Sequence, residues 1–159
     1  EIVCNHFNNI TDTKFSIIRT TAMYGPHDNF NNRGHVIPQL IMKAENKMNP
    51  FEIWGDGTQV RDFTYVDDVI DGLLLVMKNH NGETYNVATG KPTTVTELVE
   101  IITDIYGYEP KFKYDLSKPT MIPKRVVDVS KIYKDFKWKA KHELRDGLEK
   151  TIKWYKENK

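Results

Sequence analysis

Strand-like and helix-like segments alternate along this 159-residue sequence, which predicts an α/β fold. Three observations carry the prediction. Residues 15–20, Phe-Ser-Ile-Ile-Arg-Thr, are rich in β-branched and aromatic residues and sit between turn formers, the signature of a strand. Val66, Val69, Ile70, Leu73, Leu74 and Met77 recur at helical spacing as one apolar stripe. A second strand pattern at residues 84–88 runs into a second amphipathic helix, so both periods are present in alternation.

Taken in order, the chain opens with Ile2, Val3, Phe7 and Ile10 at helical spacing, which predicts the tail of a helix. The strand at 15–20 follows, and Gly25-Pro26 then punctuates a loop through Asn29. Val36-Ile37-Pro38 opens a helix to about Lys47, with Pro38 tolerated in its first turn. Residues 51–54 form a short strand closed by Gly55-Asp56-Gly57, where Asp56 reads as a turn residue. In the striped helix, Asp67 and Asp68 occupy the first turn, where the helix dipole favours negative charge. Asn81-Gly82 turns the chain into the strand at 84–88. Thr94 and Glu97 have capping-box spacing ahead of Val95, Leu98, Val99, Ile102 and Ile105, and Gly107 ends that helix. Phe112, Lys113 and Tyr114 suit a short strand, and Pro119 and Pro123 make residues 115–124 a loop. Asp128 or Ser130 caps a short helix around Ile132, and Leu144, Leu148, Ile152 and Tyr155 mark a last one. The strands are too few and too far apart to close one sheet, which predicts that a partner segment completes them.

Charge and composition exclude several function classes. Lys plus Arg is 23 and Asp plus Glu 22, a net +1, so no global field recruits nucleic acid or a membrane surface. Any anion site must be local. Single Cys4 allows no intrachain disulfide and reads as a small buried hydrophobe. The five His show no metal-ligand spacing. No apolar run approaches a membrane span, and the first residues have neither region of a signal peptide, so a cytoplasmic setting is expected. Without an initial Met, the chain reads as the middle of something longer.

Three local patterns carry chemistry. They are Arg19-Thr20-Thr21-Ala22-Met23-Tyr24-Gly25-Pro26, the run from Trp54 through Gly-Asp-Gly-Thr-Gln-Val-Arg61-Asp62-Phe63 to Asp68, and Arg125-Val-Val-Asp128-Val-Ser130-Lys131 with the late Trp154-Tyr155. In this order and spacing they resemble the C-terminal half of the extended short-chain dehydrogenase/reductases that epimerise, dehydrate or reduce nucleotide sugars. Gly25-Pro26-His27-Asp28-Asn29-Phe30, then His35-Val36-Ile37-Pro38, and later Asp115-Leu-Ser-Lys118-Pro119, are similar to the GDP-L-fucose synthase branch.

The resemblance implies the C-terminal, substrate-binding part of an NAD(P)-binding Rossmann-type enzyme. Residues about 1–24 and 84–106 are expected to pack on a missing N-terminal Rossmann half. That half would carry the Gly-rich phosphate turn, the catalytic Ser/Thr and the Tyr-x-x-x-Lys pair. It implies a homodimeric parent that converts GDP-4-keto-6-deoxymannose to GDP-L-fucose with NADPH, the cofactor being bound mainly by the missing half; the 159 residues alone are expected to be inactive. The alternatives are a UDP- or dTDP-sugar 4-epimerase or 4,6-dehydratase, or a non-catalytic sugar-nucleotide-binding module.

Residue by residue, Arg61 reads either as a solvated charge or, in its motif, as a forked ligand to the diphosphate. Arg125 and Lys43 join it, with Lys124 able to substitute for Arg125. Lys118 is a loop charge or a contact to sugar or phosphate. The resemblance implies substrate contacts at Trp54 and Val36, and cofactor contacts at Thr20, Thr21 and His35. His35 is either a helix-entry residue or the acid for proton transfer at a sugar carbon, since imidazole titrates in the useful range. Ala22 and Lys43 depart from the family's usual Asn and Arg. Asp67 and Asp68 are expected to be structural.

Overall fold

The architecture follows from a computed structural model that describes residues 1–13, 15–31, 34–79, 82–120 and 122–159. Six helices and nine strands alternate among these residues: α1 (Ile2–Ile10), β1 (Ile17–Thr20), β2 (Ala22–Tyr24), α2 (Val36–Glu45), β3 (Phe51–Trp54), β4 (Val60–Arg61), β5 (Phe63–Tyr65), α3 (Val66–Asn79), β6 (Thr84–Val87), β7 (Thr93–Thr94), α4 (Val95–Ile105), β8 (Phe112–Asp115), β9 (Lys124–Arg125), α5 (Ser130–Phe136) and α6 (Leu144–Asn158). The expected Asn81-Gly82 turn falls partly outside the described residues, because Asn81 is not among them.

The strands form four small sheets rather than one. Three are parallel pairs, β1–β6, β2–β5 and β3–β8, and the fourth has the order β7-β4-β9. β4 runs parallel to β9, with Val60 opposite Lys124 and Arg61 opposite Arg125, and antiparallel to β7. Five of these nine strands, β2, β4, β5, β7 and β9, have two or three residues. Segments that short show no readable alternation, so the sequence predicted none of them as a strand.

The larger core gathers α2, α4 and α6 around β3 and β5. Ile37 and Ile41 of α2, Leu98, Val99 and Ile102 of α4, and Leu148 and Ile152 of α6 are all buried in it. α4 therefore belongs to this chain's own core. Its capping box forms as spaced: the Glu97 amide donates to Thr94 Oγ1 at 3.1 Å and the Thr94 amide to Glu97 Oε2 at 2.7 Å. A smaller core joins Val76, Tyr85, Val87, Ile132 and Trp138.

The α3 stripe is only partly buried: Val69 and Val76 are, but Ile70, Leu73, Leu74 and Met77 are 41–50% exposed. Val76 lies in the small core with Tyr85 and Val87 of β6. The exposed four turn to a side where none of the described residues covers them. Exposed Ile2, Val3, Phe7 and Ile10 on α1 repeat the pattern. Cys4 is half-buried rather than buried, because α1 has so little packed against it.

Asp67 and Asp68 divide. Asp67 stays exposed, while Asp68 is 1% exposed and accepts from the Lys141 and His142 amides and meets His142 Nδ1, each at 3.1 Å. Its structural role is to clamp the segment entering α6, beyond the dipole effect that its position suggests.

Candidate functional site

A cavity of about 640 Å³ opens between the C-terminal ends of β1 and β2 and the start of α2. This is where parallel α/β structures offer their loops to ligands. Its lining includes Thr20, Thr21, Ala22, His27, Asp28, His35, Val36, Arg61 and Arg125. Six of the nine site positions expected from sequence therefore share one cavity: Thr20, Thr21, His35, Val36, Arg61 and Arg125.

The two arginines arrive together through strand pairing. β4 and β9 lie side by side in register, which puts Arg61 opposite Arg125. The Arg61 guanidinium Nη1 donates to the carbonyls of Val60 at 2.7 Å and Ile122 at 2.9 Å, so the fork is anchored at one nitrogen. Burial, and then the neighbouring charge of Arg125, pull the Arg61 pKa down. Two like charges on paired strands, with no carboxylate bonded to Arg61 among the described residues, make a local demand for an anion.

The residue after Arg61 fixes the strand. Asp62 is 1% exposed. Its carboxylate accepts from Thr89 Oγ1 at 2.5 Å, the Gly90 amide at 2.9 Å and the Thr89 amide at 3.2 Å. Alternation along a strand sends neighbours to opposite sides, so Arg61 faces the cavity while Asp62 ties β4 to the segment after β6. The Gly-Asp-Gly turn before β4 demands its glycines. Gly55 and Gly57 have φ of +73° and +76°, and a Cβ at Gly57 would lie 2.2 Å from Thr96 Oγ1. Asp56 accepts from the Thr58 amide, Thr58 Oγ1 and Gln59 Nε2, the turn role expected of it. Those bonds hold its carboxyl below the usual range.

His35 is exposed and stands at the N-cap of α2, with extended backbone (φ −67°, ψ 178°) and no side-chain cap bond. Its imidazole is thus not consumed by the helix-entry role. Thr21 Oγ1 lies 3.2 Å from Thr64 Oγ1, which joins β2's start to β5.

The other three expected residues form a separate ledge. Lys43 Nζ donates to the Glu52 carbonyl at 2.8 Å and lies 3.8 Å from Glu52 Oε1. Trp54 Nε1 donates to Glu52 Oε1 at 3.2 Å, and Lys118 Nζ sits 5.7 Å from the Trp54 ring centre. Burial pushes the Lys43 pKa down, against the pull of Glu52. Lys43 is thus engaged with β3 rather than grouped with the two arginines.

Among the described residues no group of three or more His, Cys, Asp or Glu could hold a metal, and no helix is long and apolar enough to cross a membrane. Sequence reasoning gave no role to Asp62, His27 or Asp28. For Asp62 the signal was available: an Asp inside a strand-like run is either exposed or paired.

Residues 1–88 match the model of the NAD dependent epimerase/dehydratase family. The chain belongs to that family. Its relatives include a probable GDP-L-fucose synthase 1 of Oryza sativa subsp. japonica, 39% identical over 145 residues, covering 87% of this chain and 44% of that protein. The GDP-L-fucose synthase of Escherichia coli is 31% identical over 172 residues, covering 98% and 53%. Among solved structures, the UDP-N-acetylglucosamine 4-epimerase from Methanobrevibacter ruminantium in complex with UDP-N-acetylmuramic acid superposes with a TM-score of 0.88. It is 28% identical, and the match covers all of this chain and 51% of that one. The epimerase/dehydratase chain in hand thus spans about half the length of the curated relatives it matches.

Proposed function

We propose that this chain is the substrate-holding half of an NADP-dependent epimerase-reductase whose whole form converts GDP-4-keto-6-deoxymannose to GDP-L-fucose. The observation that carries the reading is the juxtaposition of Arg61 and Arg125, in register on paired strands, in one cavity with His35. Two guanidinium forks suit a diphosphate, and an unengaged imidazole suits proton transfer at a carbon next to a ketone. The similarity to proteins named GDP-L-fucose synthase supports the choice of sugar nucleotide.

Thr20 and Thr21, with His35, would hold the reactive end of the cofactor, since they lie where the parallel strand β1 ends and line the cavity. When bound, NADPH supplies hydride for the reduction. This chain offers one wall for it and has no Gly-rich phosphate turn in its sequence. The exposed apolar residues of α1 and α3, and the bare parallel pair β1–β6, are the surface on which a Rossmann half would dock. Parallel sheets are rarely stable with two strands and an open face. Lys118 and Trp54 extend the binding surface beyond the cavity, Lys43 buttresses that ledge through Glu52, and a cytoplasmic, homodimeric parent goes with the reading. A UDP-sugar 4-epimerase parent is the second reading, favoured by the fit to the UDP-N-acetylglucosamine 4-epimerase.

Calorimetry on the chain tests the clamp. Arg61→Ala should weaken a GDP-sugar on the order of 10- to 100-fold, from about 1.5–3 kcal/mol for bonds to a charged group. Arg61→Lys should recover only part, keeping the charge but not the fork. Equal affinity for Arg61→Ala and the parental chain rules the clamp out. Tighter binding of UDP-sugars than of GDP-sugars selects the second reading.

A further inference from the structure

We propose that the C-terminal helix α6 sets the shape of the glycosyl end of the cavity through an aromatic clasp, which makes Trp154 a positioning residue. The inference rests on the proposed sugar-nucleotide reading and goes beyond it, because none of the clasp residues on α6 lines the cavity.

The loop from β2 to α2 forms part of the cavity wall, through Gly25, Pro26, His27 and Asp28. Among its described residues, the backbone bonds within the loop are the Asp28 amide to the Gly25 carbonyl at 3.3 Å and the Gly34 amide to the Asn31 carbonyl at 2.9 Å. Something outside the loop must hold it. His27 has a φ of +65°, a left-handed conformation uncommon for any residue with a Cβ. Its ring lies 4.6 Å from that of Trp154. Three residues on, Phe30 stacks on Tyr155 at 4.5 Å with planes 21° apart, and meets Trp154 at 5.9 Å. At the loop's other end, Tyr24 Oη donates to the Leu144 carbonyl at the first residue of α6 at 3.2 Å.

One helix therefore grips the loop where it leaves β2 and again where it turns toward α2. α6 is itself rigidly seated, with Leu148 and Ile152 in the large core. With the phosphates at Arg61 and Arg125 and proton transfer at His35, the part of the ligand beside this loop is the glycosyl group. Its fit then depends on where Trp154 holds His27. A nucleoside diphosphate without the sugar does not use that wall.

The test uses the 159-residue chain with GDP and GDP-mannose as probes. Trp154→Ala should weaken GDP-mannose about tenfold, leave GDP unchanged and speed amide hydrogen exchange at residues 25–31. Trp154→Phe, which keeps a ring, should restore most of the loss. Phe30→Leu keeps apolar bulk without the stack, so it should show the same selective weakening even if Trp154→Ala proves too unstable to purify. Equal weakening of both ligands, or unchanged loop exchange in both variants, overturns the clasp. If the parental chain binds neither ligand, the clamp reading fails, and with it the assignment of this wall to a sugar.

Discussion

Replacing Asp62 with alanine should cost this chain a large part of its stability, although the residue sits beside the site and not in it. The carboxylate is 1% exposed and accepts three hydrogen bonds, two from backbone amides and one from Thr89 Oγ1. In Asp62→Ala the threonine hydroxyl can rotate to another acceptor, but the Thr89 and Gly90 amides cannot. Each buried donor left unsatisfied costs about 1–3 kcal/mol. Two such amides, whose bonds were to a charged acceptor, set the expected loss at about 3–5 kcal/mol. Domains of this kind are stable by roughly 5–15 kcal/mol, so the variant should lie near the edge of folding. Urea denaturation measures it: with a slope of about 2 kcal/mol per molar, the midpoint should fall by about 2 M at unchanged slope. Asp62→Asn keeps the shape but turns one acceptor into a donor facing donors. It should lose about half as much. A loss below about 1 kcal/mol for Asp62→Ala would refute the idea that this carboxylate ties β4 to the segment after β6.

Two further predictions follow from the helices. Gly147→Ala should destabilise by about 1–3 kcal/mol despite alanine's better helix propensity, because the new Cβ would lie 2.2 Å from Tyr24 Oη and 3.0 Å from Tyr65 Cδ2; an unchanged or raised melting temperature contradicts it. The Thr94 bonds hold the Glu97 carboxyl below its usual pKa. The stability it contributes is therefore present above the unfolded carboxylate range and lost as pH falls through the lowered folded value. Glu97→Gln should remove that dependence, a difference of at most about 1 kcal/mol, so parental and variant denaturation midpoints should converge from pH 7 toward about pH 3.

How far the sequence could be read depended on whether a signal was local. The α3 stripe and the Thr94–Glu97 cap lie within a few residues and appear where spacing put them. Arg61 and Arg125 could be named as ligands from their motifs, but not as neighbours, since only the parallel register of β4 and β9 brings them together. Two-residue strands have no period to detect. Periodicity also states that a face is apolar without stating what covers it. Hence Val69 and Ile70, adjacent members of one stripe, end respectively buried and half exposed. Lys43 is named from the family resemblance, which does not show that its ammonium donates to the Glu52 carbonyl across a turn.

The strand pairing also bears on the order in which the molecule can be assembled. Among the described residues no pair is a hairpin: Ile17 meets Thr84, Phe51 meets Phe112, and Val60 meets Lys124. Each ladder closes a loop of dozens of residues before its first bond forms, and that entropy is spent before any contact repays it. Helices α3 and α4, whose contacts are local, can condense early and the sheets only late. During synthesis, β1, β3 and β4 must wait for partners made long after them. The Arg61–Arg125 pair is among the last features to exist, since its second member arrives with residue 125. A nascent chain stalled before β9 would hold His35 and Arg61 already made, yet lack the strand that sets Arg125 opposite Arg61.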